Sequence, residues 1–414
     1  MNPISCLSRI LFSLAAYFLL IPPQEMSGKI LDNGIDPANL GKGDHIYVLS
    51  STIRGLGGNV RSVTDVPSLM AYEKSQGMDF IVVKAGTGAK DFPSASQRQF
   101  TAALVEAAHA AGLKIFGYTR SDGIDVKGEL HLVAKCFRMG ADGFVLDAEA
   151  EWEKLENNTE KAIQLCKGIK ARFPNKFLGH APLPFIHLHT SFPYKEFGFY
   201  CDAVMPQYYW QDGGVGKLAE YSPTVMVAKM DVEWSQWQRS LQGIWTNAIK
   251  PLAPIGQAWD IAPTNIITGA QIVEFVKALK NDRRSPTKTG YNGVSYWRAD
   301  LHTADVWEGI AAADIGKPPS ILRQPQGAII TSPAANVVFT VDANGAMPRD
   351  YQWFYNGKSI PGATDNTYSV TPVHSTNAGS YTVVIMNRLG SVASDDAVLK
   401  VNLPSVISAN PVKP

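Results

Sequence analysis

The 414-residue chain is poor in cysteine and in charge. Its four cysteines are Cys6, Cys136, Cys166 and Cys201, and none forms a C-x-x-C pair or a zinc-type spacing. A disulfide framework is thereby excluded as the basis of the fold. Cys6 falls in the leader, and the other three read as buried thiols packed as small hydrophobes. Charged residues make up only 18%, with 38 basic against 37 acidic side chains. That balance, with no basic block, argues against nucleic acid or anionic lipid as partners. The glycine-rich stretch 51–58 (STIRGLGG) has neither dinucleotide nor Walker spacing, so no cofactor is expected. No G-x-S-x-G elbow anchors a serine triad. Long apolar runs are missing too, with one exception: Ile10–Ile21 follows Arg9 and ends at Pro22-Pro23. About a dozen apolar residues suit a signal-peptide core and are short for a membrane span. Residues 1–27 are therefore read as a leader to a secreted or cell-surface location. No clear A-x-A cleavage site follows, so a retained N-terminal anchor is the alternative, and membrane contact is expected only through an uncleaved leader.

What the chain does have is apolar residues, 45% of the total, enough for two or three domains with large cores. Between residues 40 and 314, short apolar runs alternate with amphipathic stretches. Strands are expected at Ile46–Leu49, Phe80–Lys84, Lys114–Tyr118, Gly143–Glu149, Phe177–His180, Ala203–Tyr208, Leu252–Gln257 and Gly293–Trp297. Helices are expected at Gln97–Ala111, stopped by Gly112, at Thr159–Phe173, stopped by Pro174, and at Gln271–Leu279. About eight strand–helix alternations predict an α/β fold, a (β/α)8 TIM-type barrel. A doubly wound open sheet is the structural alternative. After Pro318-Pro319 the pattern changes to short β-runs with turns at Asn356-Gly357 and Pro361-Gly362. Residues 319–403 are thus expected to form an all-β immunoglobulin-like sandwich, with a loose tail over 404–414.

In such a barrel, strand ends converge on one mouth. The fourth strand offers Asp147 and Glu149, with Glu151 beyond. Residues two apart on a strand share a face, about 6–7 Å apart at the backbone. Two carboxylates that close resist ionising together, which raises the pKa of one of them. A carboxylic acid kept protonated near neutrality is what protonating a glycosidic oxygen requires. A solvated acidic loop entering a helix is the bland alternative. The other strand ends contribute Lys84, Tyr118, His180, Gln207, Tyr208, Gln257, Trp259, Tyr296 and Trp297 as candidate substrate-binding residues. Taken singly, each suits a structural role. Together they describe carboxylates, amides and aromatic faces, a mixture that suits a sugar and suits a phosphate poorly. His187-x-His189 with Asp202 is the only metal-like grouping, and it lacks a third ligand of convincing spacing, so no metal is expected.

These residues carry a resemblance. The run 77–85 (GMDFIVVKA), the run 110–118 (AAGLKIFGY) and Leu146-Asp147-Ala148-Glu149 resemble the lysozyme-type glycoside hydrolases of family 25. Met205-Pro206-Gln207-Tyr208-Tyr209 and Tyr296-Trp297 are closer to chitinase-like barrels of family 18. The resemblance implies Glu149 as general acid and Asp147 as its supporting carboxylate, with a polysaccharide or peptidoglycan as substrate. Family-25 enzymes carry a first-strand aspartate, and the run IYVLSST shows none. The longer D-x-x-D-x-D-x-E of active chitinases is also absent. Further along, Trp353 and the corner Tyr381 resemble bacterial immunoglobulin-like repeats, with Val341 and Val383 at the two cysteine positions. The function expected is an exported glycoside hydrolase-like protein acting on polysaccharide or cell-wall glycan. The alternative is a non-catalytic carbohydrate-binding or adhesion protein that has kept the barrel and lost its chemistry.

Overall fold

The computed structural model describes residues 31, 35–37, 39–49, 52–53, 61–62, 66–211, 221–260, 266–281, 291, 293–316, 319–332, 335–345, 349–387 and 390–402. The leader, the STIRGLGG stretch beyond two residues, and the tail lie outside them.

The first part is a mixed α/β structure built on one curled parallel sheet. Its nine strands are β1 (Gly41–Ile46), β2 (Phe80–Thr87), β3 (Lys114–Ser121), β4 (Gly143–Ala148) and β5 (Phe177–His180), then β6 (Ala203–Val204), β7 (Gln207–Tyr208), β8 (Ile255–Gln257) and β9 (Gly293–Trp297). Their order is β7-β8-β9-β1-β2-β3-β4-β5-β6, and every neighbouring pair is parallel. The two outermost strands, β6 and β7, are separated in the chain only by Met205 and Pro206. Val204 also bridges Leu252 in parallel, and Ile255 donates its N–H to the Pro206 carbonyl at 2.9 Å.

Among the described residues, eight α-helices flank the strands: α1 (Val66–Ser75), α2 (Ala102–Ala110), α3 (Val126–Arg138), α4 (Asn158–Arg172), α5 (Tyr194–Tyr200), α6 (Pro223–Ser240), α7 (Gly269–Asn281) and α8 (Ala304–Ala312). Local chemistry sets their starts. Helix α2 begins later than the sequence pattern suggests because the Thr101 hydroxyl caps it, accepting from the Leu104 N–H. Asp125, Ser222 and Thr303 cap α3, α6 and α8 in the same way.

Strand alternation divides the core into two layers. Ile81, Val83, Ile115, Phe144, Leu146, Leu178 and Val294 face the helices. Phe80, Val82, Phe116, Val145, Phe177, Ala203, Met205 and Ile255 face the other way, into a second cluster. At its base the rings of Phe80, Phe116 and Phe177 stack in series, with centroids 5.2 and 4.9 Å apart. Burying each such ring is worth about 1.5–3 kcal/mol. Strand β1 departs from expectation. It runs over Gly41–Ile46 rather than Ile46–Leu49, because a side chain at Gly43 would collide with the Phe80 ring. Only glycine lets β1 approach there, and that makes a strand look like a loop.

From Ser320 to Val401 the described residues form strands and one short 3₁₀ turn. Strand Gly379–Asn387 pairs antiparallel with Asp350–Tyr355, Gly390–Ala393 and Ala397–Val401. Val337–Thr340 pairs separately with Thr367–Val370, and Ser320–Arg323 with Asp342–Asn344. Phe339, Val341, Trp353, Tyr381 and Val383 share one buried cluster. The Trp353 indole N–H donates to the Asp365 carbonyl and the Tyr381 hydroxyl to the Asn377 carbonyl, each at 2.9 Å.

Candidate functional site

The inner face of the curled sheet opens at its C-terminal edge into a cavity of about 270 Å³. His45, Tyr118, Arg120, Asp147, Glu149, Gln207, Tyr209, Trp259 and Trp297 line it, with Val145, Ala181, Leu183, Pro184 and Ile255. Six of the eleven residues singled out in the sequence therefore meet here: Tyr118, Asp147, Glu149, Gln207, Trp259 and Trp297.

The two carboxyl groups are tied together. The Gln207 amide donates to Asp147 Oδ1 at 3.1 Å and to Glu149 Oε1 at 2.9 Å. Arg120, two residues beyond Tyr118 on β3, reaches Glu149 Oε2 at 2.9 Å and Glu151 Oε1 at 2.7 Å. Burial first, and the neighbouring Glu149 charge second, push the Asp147 pKa well up, against the opposing pull of Arg120 and Lys84. The arrangement is a close carboxyl pair bridged by one amide and balanced by a guanidinium, in which Asp147 favours its protonated form.

Around the pair stand aromatic faces. Tyr209 and Trp259 meet edge to face at 4.7 Å, and Trp297 meets Tyr118 at 5.7 Å. His45 packs against Trp297 at 5.5 Å, and its Nε2 lies 3.0 Å from the Ser295 hydroxyl. Burial lowers the His45 pKa to about 3, so the ring is neutral.

The remaining candidates lie elsewhere. Lys84 shares the inner face but is drawn aside, with its ammonium 3.9 Å from the centre of the Tyr47 ring and 4.7 Å from that of Phe92. Gln257 is fully buried and does not line the cavity, and its side-chain carbonyl accepts the Gln211 N–H at 2.8 Å. His180, Tyr208 and Tyr296 are corrected outright: alternation turns each toward the helices. His180 stacks on Phe197 of α5 at 5.4 Å, and burial lowers its pKa to about 3. The Tyr208 hydroxyl lies 3.2 Å from that of Tyr291. Tyr296 is fully buried in the outer layer. The histidines of the H-x-H run diverge, His187 to Glu233 at 2.8 Å and His189 to Glu153 at 2.6 Å, while Asp202 pairs with Lys170.

Arg120 and His45 were missed as site residues. Arg120 could have been found by continuing the period-two alternation from Tyr118. His45 was hidden by the misplacement of β1. That strand does hold a carboxylate, Asp44, but it faces outward. There it meets His302 Nε2 at 2.9 Å, and both residues are fully buried. His302 Nδ1 lies 2.8 Å from the Ala258 carbonyl. Glu73 of α1 is fully buried close by, with neither carboxyl oxygen partnered. Burial, then the Asp44 charge, drives the Glu73 pKa well up. Burial likewise raises Asp44 and lowers His302 to about 4.

No protein-family model matches the chain, and no curated protein matches it. Among solved structures, it is similar to tandem Ig repeats of Dlar at 21% identity, over 21% of this chain and 49% of that one, with a TM-score of 0.19. It is similar to titin M4 at 20% identity, over 20% of this chain and 95% of that one, with a TM-score of 0.19. The titin I-band fragment I67–I69 matches at 25% identity, over 21% and 33%, with a TM-score of 0.19. The chain thus spans about half the length of the Dlar structure. Likenesses this weak carry no argument, and the functional reading rests on the site.

Proposed function

We propose that this chain is an exported glycoside hydrolase-like protein acting on polysaccharide or cell-wall glycan, built as a closed (β/α)8 barrel followed by an immunoglobulin-like sandwich. Reading β6 and β7 as one strand interrupted at Pro206 makes eight strands. The Val204–Leu252 bridge and the Ile255–Pro206 hydrogen bond then join the sheet's two edges, which supports closure. The buried Trp353, the Tyr381–Asn377 bond and the apolar Val341 and Val383 support the sandwich.

The observation that carries the activity is the Asp147–Glu149 pair inside an aromatic-walled cavity. Asp147, whose pKa burial pushes well up, favours its protonated form beside Glu149. A proton passed from Asp147 to Glu149 would make Glu149 the acid for the leaving glycosidic oxygen. The Asp147 anion left behind orients the substrate's N-acetyl group, whose carbonyl oxygen attacks the anomeric carbon. Water then opens the cyclic intermediate while Glu149 takes up its proton. Such substrate assistance points to an N-acetylated glycan, peptidoglycan or chitin.

A second reading is a carbohydrate-binding protein without catalysis. Two observations favour it: both Glu149 oxygens are already engaged, and the inward position of β1 is His45 rather than a carboxylate. Reducing-sugar release from peptidoglycan and chitin, measured alongside sedimentation binding, decides between them. Product supports the hydrolase, binding without product supports the second reading, and neither result overturns both.

A further inference from the structure

We infer that His45 is a ligand-binding residue that reads an uncharged hydroxyl of the bound sugar through Nδ1, on the β1 wall of the cavity. The inference rests on the glycan reading above and adds a specificity contact that the carboxyl pair does not supply. Three observations carry it. His45 lines the cavity, yet its Nδ1 has no hydrogen-bond partner, whereas Nε2 is engaged by the Ser295 hydroxyl at 3.0 Å. Buried polar groups are normally satisfied, and an unpartnered nitrogen on a cavity-lining residue points to a ligand as its partner. The ring is also held rigidly. Trp297 and Tyr118 pack against it at 5.5 and 6.0 Å, and its own N–H on the main chain donates to Asp44 Oδ1 at 2.8 Å. Asp44 is in turn fixed by His302. Finally, the Tyr118 hydroxyl on the same cavity is buried and unpartnered, giving a second contact point next to the first.

The groups facing the imidazole are Ser295 from β9, Trp297 at its end and Tyr118 from β3, none of them a carboxylate. The ring therefore stays neutral across the working pH range and offers a ligand no charge. Ser295 can donate to Nε2 or accept from it, so Nδ1 can be the donor or the acceptor toward a hydroxyl. A charged ligand group gains nothing at this wall. The contact selects a neutral sugar face while Arg120, Asp147 and Glu149 handle the bond to be cleaved.

The test uses the full chain with N-acetylglucosamine tetramer as probe. Asparagine places its amide near Nδ1, and glutamine places its amide near Nε2. His45→Gln should keep the Ser295 bond and weaken binding at least tenfold, while His45→Asn stays within threefold of the parent. In the parent protein, labelled at histidine, the His45 Nδ1 resonance should move with saturation, a readout that does not depend on any variant folding. Parent binding that His45→Gln leaves unchanged, or a His45 Nδ1 signal unmoved at saturation, overturns this assignment alone. A parent chain that binds neither the tetramer nor soluble peptidoglycan overturns the glycan reading, and this assignment with it.

Discussion

Two acidic clusters sit on opposite faces of the same sheet. Asp147 and Glu149 face inward, where Gln207 bridges them and Arg120 supplies a counter-charge. Asp44 and Glu73 face outward, sealed between strand and helices beside His302, with both Glu73 oxygens unpartnered. Burial raises the pKa of Asp147, Asp44 and Glu73 alike. The inner cluster lines a cavity, whereas Asp44, Glu73 and His302 are fully buried. A raised pKa by itself therefore does not mark a site; access and a balancing cation separate a proton donor from a buried strut.

The comparison can be broken most sharply at Glu149. If the inner cluster is the chemical one, Glu149→Gln should cut hydrolysis by about 10²-fold or more. The thermal midpoint in calorimetry should not fall. Next in size, His302→Ala should leave Asp44 without its side-chain partner and cost about 2–4 kcal/mol in denaturant unfolding, with hydrolysis by the folded fraction falling far less than in Glu149→Gln. Third, Glu73→Gln should stabilise the fold by about 1 kcal/mol at pH 7. Glu73 binds its proton more tightly folded than unfolded. Its contribution is fully present below the ordinary value of 4.5 and is lost as pH rises toward the folded value. The gain should therefore vanish in melts at pH 4. The smallest effect is expected at Arg120→Gln. This partly exposed pair should change stability by under about 1 kcal/mol. Losing the cation removes a pull that lowers the Asp147 pKa, so the pH–rate profile should move to higher pH.

Much of the fold was legible because buried parallel strands are short apolar runs. Those expected at Phe80, Lys114, Phe177 and Gly293 begin where the structure begins them. Strand β1 was not legible, since Gly41, Gly43, Asp44 and His45 spell a loop until the Phe80 ring explains the glycine. The site was half legible for a different reason. Strand ends were read as if every polar residue faced the mouth, so His180, Tyr208 and Tyr296 were included. Applying to each strand the alternation that paired Asp147 with Glu149 would have rejected all three and added Arg120. The sealed cluster of Glu73 and His302 left no sequence signal, because its members come from α1 and the segment before α8, brought together only by packing.

The stacked rings of Phe80, Phe116 and Phe177 lie toward the starts of their strands, while the carboxyl pair lines the cavity at the other end, on the C-terminal edge. Under the proposed glycan reading, a sugar chain would enter and leave by that one edge instead of passing between the strands. A cleaved fragment that lingered would then bar the next arrival, so departure would govern turnover as much as bond breaking does.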